Sequence, residues 1–185
     1  MLFMSADYHF ITNWQVKATI EEVAEILEDV DSLAVWWPSV YLDVEIEKYG
    51  DENGVGKIVH LFTKGWLPYT LRWSFEVTES QSPHGFKIRA WGDFDGIGEW
   101  SLTQNGAVAE VIYDWRIRAD KPLLKLLSPI LKPIFGANHH WAMNQGLRSL
   151  ELEIRRRRGE AGIPDPAQPT WPHQSKGTKQ RQQAV

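Results

Sequence analysis

The chain has 185 residues, 43% hydrophobic and 24% charged, with a formal net charge of −4; this fits one globular domain and excludes a general nucleic-acid binder. There is no cysteine, which excludes disulfides, thiol nucleophiles and thiolate metal sites. Ten tryptophans are far more than usual and need a core, a pocket or an interface to hold them.

From the N-terminus, residues 1–7 carry neither a basic segment nor a long apolar one, so no signal peptide is expected. No apolar run approaches the length that spans a bilayer, and the expected location is the cytoplasm. Residues 8–17 alternate, with Phe10, Thr12, Trp14 and Val16 on one face of a strand. Thr19 and Glu22 have the spacing of a capping box, followed by a helical stripe of Ile20, Val23, Ala24 and Leu27. A second helical turn begins at Asp31 or Ser32 and stops at Trp36-Trp37-Pro38, because the residue before a proline is pushed out of the helical region.

Six further strands follow. Leu42, Val44 and Ile46 alternate with acidic residues; Gly50 to Gly54 is a turn; residues 55–63 form the next strand. Lys64 to Pro68 is a loop. Tyr69, Leu71, Trp73, Phe75 and Val77 then share a face, as do Phe86, Ile88 and Ala90. Asp95-Gly96 and Asn105-Gly106 are hairpin signals. Gly98, Trp100 and Leu102 lie between them, and Val111, Tyr113, Trp115 and Ile117 line the last strand. Leu123 to Leu127 reads as a short apolar helix, and Ser128-Pro129 as a helix start. Pro133 predicts a kink or restart. The long helix then runs from about Pro133 to Arg157, with Met143, Leu147, Leu150 and Ile154 on one face. The domain covers residues 1–158; residues 159–185, rich in Pro, Gln, Lys and Ser, are expected to be a disordered tail.

This order predicts an α+β fold in which a seven-stranded curved antiparallel sheet closes around a long C-terminal helix. Several residues add a family resemblance: Trp14-Gln15-Val16 with Thr19-x-x-Glu22-Val23, Trp37-Pro38, Gly54-Val55-Gly56, and Gly96-x-Gly98-x-Trp100. Over residues 8–157 the chain resembles the helix-grip fold of the START-like, or SRPBCC, superfamily, which includes birch-pollen-allergen-like proteins, lipid-transfer domains and polyketide cyclase/dehydrase-like proteins. The resemblance implies a cavity for a hydrophobic small molecule under the helix. It carries over no catalytic motif, because only some members catalyse anything.

The inward faces nominate Trp14, Leu71, Trp73, Phe75, Ile88, Trp100, Tyr113, Trp115, His139 and Met143 as ligand-binding residues. A solidly packed core is the alternative for the same residues. His139 and His140 flank the apolar stripe of the long helix; one of them can serve as acid or base because imidazole titrates near neutral pH. Tyr113 and Tyr69 offer a polar tip on an apolar body. The parity of the strand after Asp95-Gly96 is open. A two-residue turn puts Glu99 inside as a desolvated general base, whereas a three-residue turn puts Trp100 inside. Trp100 inside is preferred, since burying an unpaired carboxylate costs several kcal/mol. His139, Tyr113 and Glu99 are thus the catalytic candidates. Adjacent histidines on a helix point about 100° apart and do not share a metal with His60 easily, so no metal and no cofactor are expected.

Three functions fit. The first is a protein that binds a lipid- or polyketide-like molecule between sheet and helix. The second is a polyketide cyclase/dehydrase-type enzyme using cavity Tyr, His or Glu. The third is an interaction module that docks a protein or membrane surface through exposed Trp36, Trp37 and Trp66. The partner in the first two is a hydrophobic small molecule, with no nucleic acid and no stable membrane insertion. Arg155 to Arg158 are read as cations complementing a helix C-terminus.

Overall fold

The computed structural model describes residues 6–119 and 128–170. Seven strands form one antiparallel sheet: β1 (Ala6–Val16), β2 (Tyr41–Lys48), β3 (Ile58–Lys64), β4 (Thr70–Ser80), β5 (Gly85–Gly92), β6 (Asp95–Asn105) and β7 (Val108–Ala119). Their order is β1-β7-β6-β5-β4-β3-β2. Between β1 and β2 lie α1 (Ile20–Glu28), a 3-10 turn at Val30–Ser32 and α2 (Leu33–Trp36); α3 (Ser128–Arg157) closes the domain. The helix-grip architecture expected from the sequence is therefore present. No helix among the described residues is long and apolar enough to cross a membrane.

Local chemistry accounts for the elements. The capping box on α1 is formed, with Glu22 N–H donating to Thr19 Oγ1 and Thr19 N–H donating to Glu22 Oε2. Gly54 and Gly56 both have φ of 79°, a left-handed backbone that favours glycine and turns the chain into β3. Register shifts at Tyr41/Asp43, Ile46/Lys48 and Val77/Glu79 bend the sheet, as bulges do. On the concave face Phe86, Trp100 and Tyr113 are cross-strand neighbours; the rings of Trp100 and Tyr113 stack 4.1 Å apart. Gly98 pairs with Trp115, and a Cβ there would lie 2.9 Å from the Trp115 ring and from the Tyr113 hydroxyl. The two rings lie over the bare strand.

Three expectations need correction. The β5–β6 turn runs through Gly92–Phe94, not Asp95-Gly96: Ala90 pairs with Gly96 and Arg89 with Ile97. Asp93 Oδ2 accepts from Arg72 N–H at 2.9 Å, and Gly92 has φ of 121°; together they dock the turn on β4 and leave Asp95 and Gly96 in the ladder. Helix α3 is continuous from Ser128, with Pro133 inside it. This excludes the restart expected at Pro133, where the proline removes one backbone bond in the second turn. Trp36 and Trp37 are 0% and 2% exposed, so they are core rather than docking residues. Trp66 alone of the three remains at the surface, 37% exposed. Leu123 to Leu127 lie outside the described residues.

The C-terminal arginines make specific pairs as well as facing the helix dipole. Arg157 donates to Asp29 at 2.6 Å and Arg158 to Glu22 at 2.7 Å, which ties the end of α3 to α1. Residues 160–170 carry no helix or strand. Within them the Pro164 carbonyl accepts from Arg156, and Thr170 Oγ1 donates to the Trp66 carbonyl. The rest of the expected tail, 171–185, is outside the described residues.

Helix α3 meets Trp37, the C-cap of α2, at Gly146, where a Cβ would fall 2.2 Å from Cζ2 of that buried indole. Helix propensity alone makes Gly146→Ala stabilising by about 1 kcal/mol. Overpacking against a rigid indole reverses the sign, with an expected net loss of about 1 kcal/mol or more. Chemical denaturation measures it, and a raised midpoint contradicts the contact.

Candidate functional site

A cavity of about 170 Å³ lies between the N-terminal half of α3 and the concave face of the sheet. Helix α3 contributes Phe135, Asn138, His139, Ala142 and Met143, spaced by threes and fours on one face. From the sheet come Tyr8 and Phe10 (β1), Leu71 and Trp73 (β4), and Tyr113, Trp115 and Ile117 (β7). Trp37, Val40 and Tyr41 close one side; Thr63, Lys64 and Tyr69 close another.

Six of the ten residues nominated from the sequence line this cavity: Leu71, Trp73, Tyr113, Trp115, His139 and Met143. Phe75, Ile88 and Trp100 face inward but line a neighbouring cavity, and Trp14 is buried core. Glu99 is a correction. It faces the outside of the sheet, its side chain 47% exposed and 3.9 Å from Lys87, because the three-residue turn fixes the parity that puts Trp100 inside. It has no access to the cavity. Of the two adjacent histidines, His139 faces in and His140 is exposed. His60 lies on the outer face between Ser74 and Glu47. Among the described residues no group of three or more acidic or imidazole side chains is placed to hold a metal.

The polar groups around the cavity differ in burial and in their partners. His139 stacks on Phe10 at 4.2 Å. Burial, with His140 nearby, lowers its pKa to about 4, and its Nε2 is buried with no hydrogen-bond partner. The imidazole is therefore neutral at pH 7. Burial pushes the Tyr113 and Tyr41 phenols up, Tyr113 further raised by Tyr41 beside it. Burial and the neighbouring Tyr8 push Tyr69 up to about 12. Neither the Tyr41 nor the Tyr113 hydroxyl has a hydrogen-bond partner among the described residues. Trp73 is satisfied, its Nε1–H donating to Thr63 Oγ1 at 3.0 Å. Lys64 is only 3% exposed, and desolvation lowers its pKa. Asn138 holds the rim, its Oδ1 accepting from Leu67 N–H at 3.2 Å while its amide lies against Gly65.

Tyr41, Lys64 and Asn138 were not singled out from the sequence. Tyr41 follows the Trp-Trp-Pro stop and Lys64 ends a strand, positions where period-two patterning has faded. The helical spacing of Asn138 to Ala142 was the one signal available for the third.

A curved antiparallel sheet gripping one long helix, with a walled cavity between them, defines the helix-grip class of ligand-binding folds. The chain belongs to the polyketide cyclase / dehydrase and lipid transport family, whose model matches residues 10–155. Among solved structures it is similar to the Zhui aromatase/cyclase from Streptomyces sp. R1128, at 20% identity and a TM-score of 0.65, covering 84% of this chain and 98% of that one. It is also similar to the protein TTHA0849 from Thermus thermophilus, at 17% identity and 0.63, covering 81% and 99%. A START superfamily protein from Mycobacterium smegmatis matches at 15% identity and 0.62, covering 80% and 97%. At these identities the likeness is one of fold. Comparison with curated proteins finds no match.

A histidine buried neutral favours the folded state only while the unfolded chain is also neutral there. Stability is therefore full above the ordinary imidazole pKa of 6.5 and declines as pH falls toward about 4. The expected loss is on the order of 3 kcal/mol across that window. It should be absent in His139→Leu when both are unfolded by denaturant at a series of pH values. Parallel profiles for the two proteins contradict the assignment.

Proposed function

We propose that the protein holds a largely apolar small molecule, lipid- or polyketide-like, between α3 and the sheet. One observation carries the reading: the cavity walls are aromatic, yet the Tyr41 and Tyr113 hydroxyls and His139 Nε2 have no partner among the described residues. Buried polar groups are almost always satisfied in a finished core. Groups left over around a cavity are those a ligand satisfies. Enclosure by rings supplies affinity, and the two phenols and the imidazole set orientation by bonding to a carbonyl or hydroxyl. The family description, which joins cyclase/dehydrase activity with lipid transport, supports the same reading.

The clustering of Tyr41, Tyr113 and His139 around one cavity also favours a second reading, a polyketide cyclase/dehydrase-type enzyme. A phenol that stays protonated polarises a carbonyl by donating to its oxygen, while the neutral imidazole accepts a proton from the carbon that will attack. The walls hold the chain folded for ring closure. Conversion of a poly-carbonyl thioester to a cyclised product by the wild type, and not by a Tyr41→Phe, Tyr113→Phe double variant, distinguishes the enzyme from a carrier.

Tyr113→Phe removes one hydroxyl and no volume. The ligand-free protein is expected to be about as stable as the wild type, since the hydroxyl has no protein partner to lose among the described residues. Affinity for a hydroxylated or carbonyl-bearing hydrophobic ligand should fall about 2- to 10-fold. Denaturation and ligand titration measure the two effects. A stability loss with unchanged affinity contradicts the assignment and makes the hydroxyl structural.

A further inference from the structure

The cavity under α3 backs onto a larger one of about 510 Å³. Trp37, Tyr41, Trp73 and Tyr113 line both, so the two chambers share an aromatic wall. In this meander the β3–β4 and β5–β6 connections lie at one end of the strands, and the β2–β3 and β4–β5 connections at the other. The first chamber takes Tyr69 and Asp93 from the former end; the second takes Asp51, Asn53, Gln81 and Ser82 from the latter. The chambers thus face opposite ends of the sheet.

Size separates their roles. An apolar cavity of about 150 Å³ holds one benzene ring, whereas sites for larger ligands run to roughly 300–1,000 Å³. The first chamber has room for about one ring, and only the second is large enough for the body of a multi-ring molecule.

Phe75, Val77, Ile88 and Trp100 form an apolar wall of the second chamber, and polar residues complete its lining, among them Asp51, Asn53, Lys57, Gln81 and the Glu28 carboxyl at the end of α1. Glu28 Oε2 accepts from Ser82 Oγ at 3.1 Å. Oε1 is buried without a hydrogen-bond partner. Burial raises the Glu28 pKa, against the opposing effects of Ser82 and Lys57. The Lys57 ammonium meanwhile donates to the Glu28 backbone carbonyl at 3.3 Å. A buried acceptor oxygen left over in the lining of a chamber calls for a donor from the ligand.

We propose that the second chamber holds the body of the ligand, that the ligand carries a hydroxyl or amine there, and that Glu28 accepts its hydrogen bond. This rests on the small-molecule-binding reading above and extends it to a donor-bearing, multi-ring class of ligand.

The test titrates the full chain with phenanthrene, 9-hydroxyphenanthrene and 9-aminophenanthrene, followed by tryptophan quenching, with circular dichroism of each variant. The hydroxyl or the amine compound, or both, should bind about five- to tenfold tighter than phenanthrene, and which of them does so identifies the donor. In Glu28→Leu that ratio should fall to about one. If Glu28→Leu does not fold, near-isosteric Glu28→Gln replaces it, and exchanging a carboxylate for an amide acceptor should cut the preference about threefold. Phenanthrene binding with no preference for either derivative overturns the proposal alone, as does a preference that survives at Glu28→Leu. Failure of all three compounds to bind overturns the small-molecule-binding reading with it.

Discussion

The Trp37 indole against the bare backbone of Gly146 sets how closely α3 can approach the sheet. The same ring lies 6.0 Å from Trp14 on β1 and 5.1 Å from Tyr41 on β2, so helix, first strand and second strand are spaced from one side chain. Toward the C-terminus of α3, Leu150 and Ile154 fill the gap completely, and Arg157 and Arg158 fasten the end to α1. Toward its N-terminus, His139 reaches the sheet only at Phe10 on β1, and space is left between Ala142, Met143 and the strands beyond. The cavity is what remains on that side of the contact, held open because aromatic walls cannot collapse without leaving their rotamers.

The sheet is shaped to the same end. Gly98 is the one position in its cross-strand row without a side chain, between Ile88 on β5 and Trp115 on β7. The neighbouring rings occupy that space and leave the room above them unfilled. The bulges in β2 and β4 add curvature where the sheet must turn under the helix. What the arrangement gives up is polar satisfaction: two phenols, an imidazole nitrogen and one oxygen of Glu28 are left unbonded around the two chambers. Thr12 Oγ1, Ser39 Oγ and the Nε1 of Trp14, Trp36 and Trp37 are also buried without a partner, so it is the position of the phenols, the imidazole and the carboxyl on the chamber walls, and not their number, that links them to a ligand.

The fold was legible because its signals are local and repeated. Strand alternation, the Thr19–Glu22 box and the stripe from Met143 to Ile154 each report one element, and their order leaves few ways to bury the apolar faces. The site was less legible because it is assembled from element ends. Tyr41, Lys64 and Asn138 lie far apart in the chain and meet only after the sheet has bent. Asp95-Gly96 misled as a turn signal because Asp93, two residues earlier, bonds across to Arg72 and takes the reversal with it. Trp36 and Trp37 read as exposed beside a proline, but Gly146, more than a hundred residues away, provides the flat surface that buries Trp37. Which of His139 and His140 faces inward depends on the rotation of α3, and alternation in the strands says nothing about that.

The account depends on the space beneath α3 being a place for a molecule. Native mass spectrometry of the purified full chain, followed by organic extraction, tests this most directly. The account predicts a fraction of the protein heavier by a discrete small mass, released by organic solvent as a hydrophobic compound, or else saturable uptake of a neutral hydrophobic dye by protein that arrives empty. Protein that arrives ligand-free and also fails to take up such a dye would contradict it.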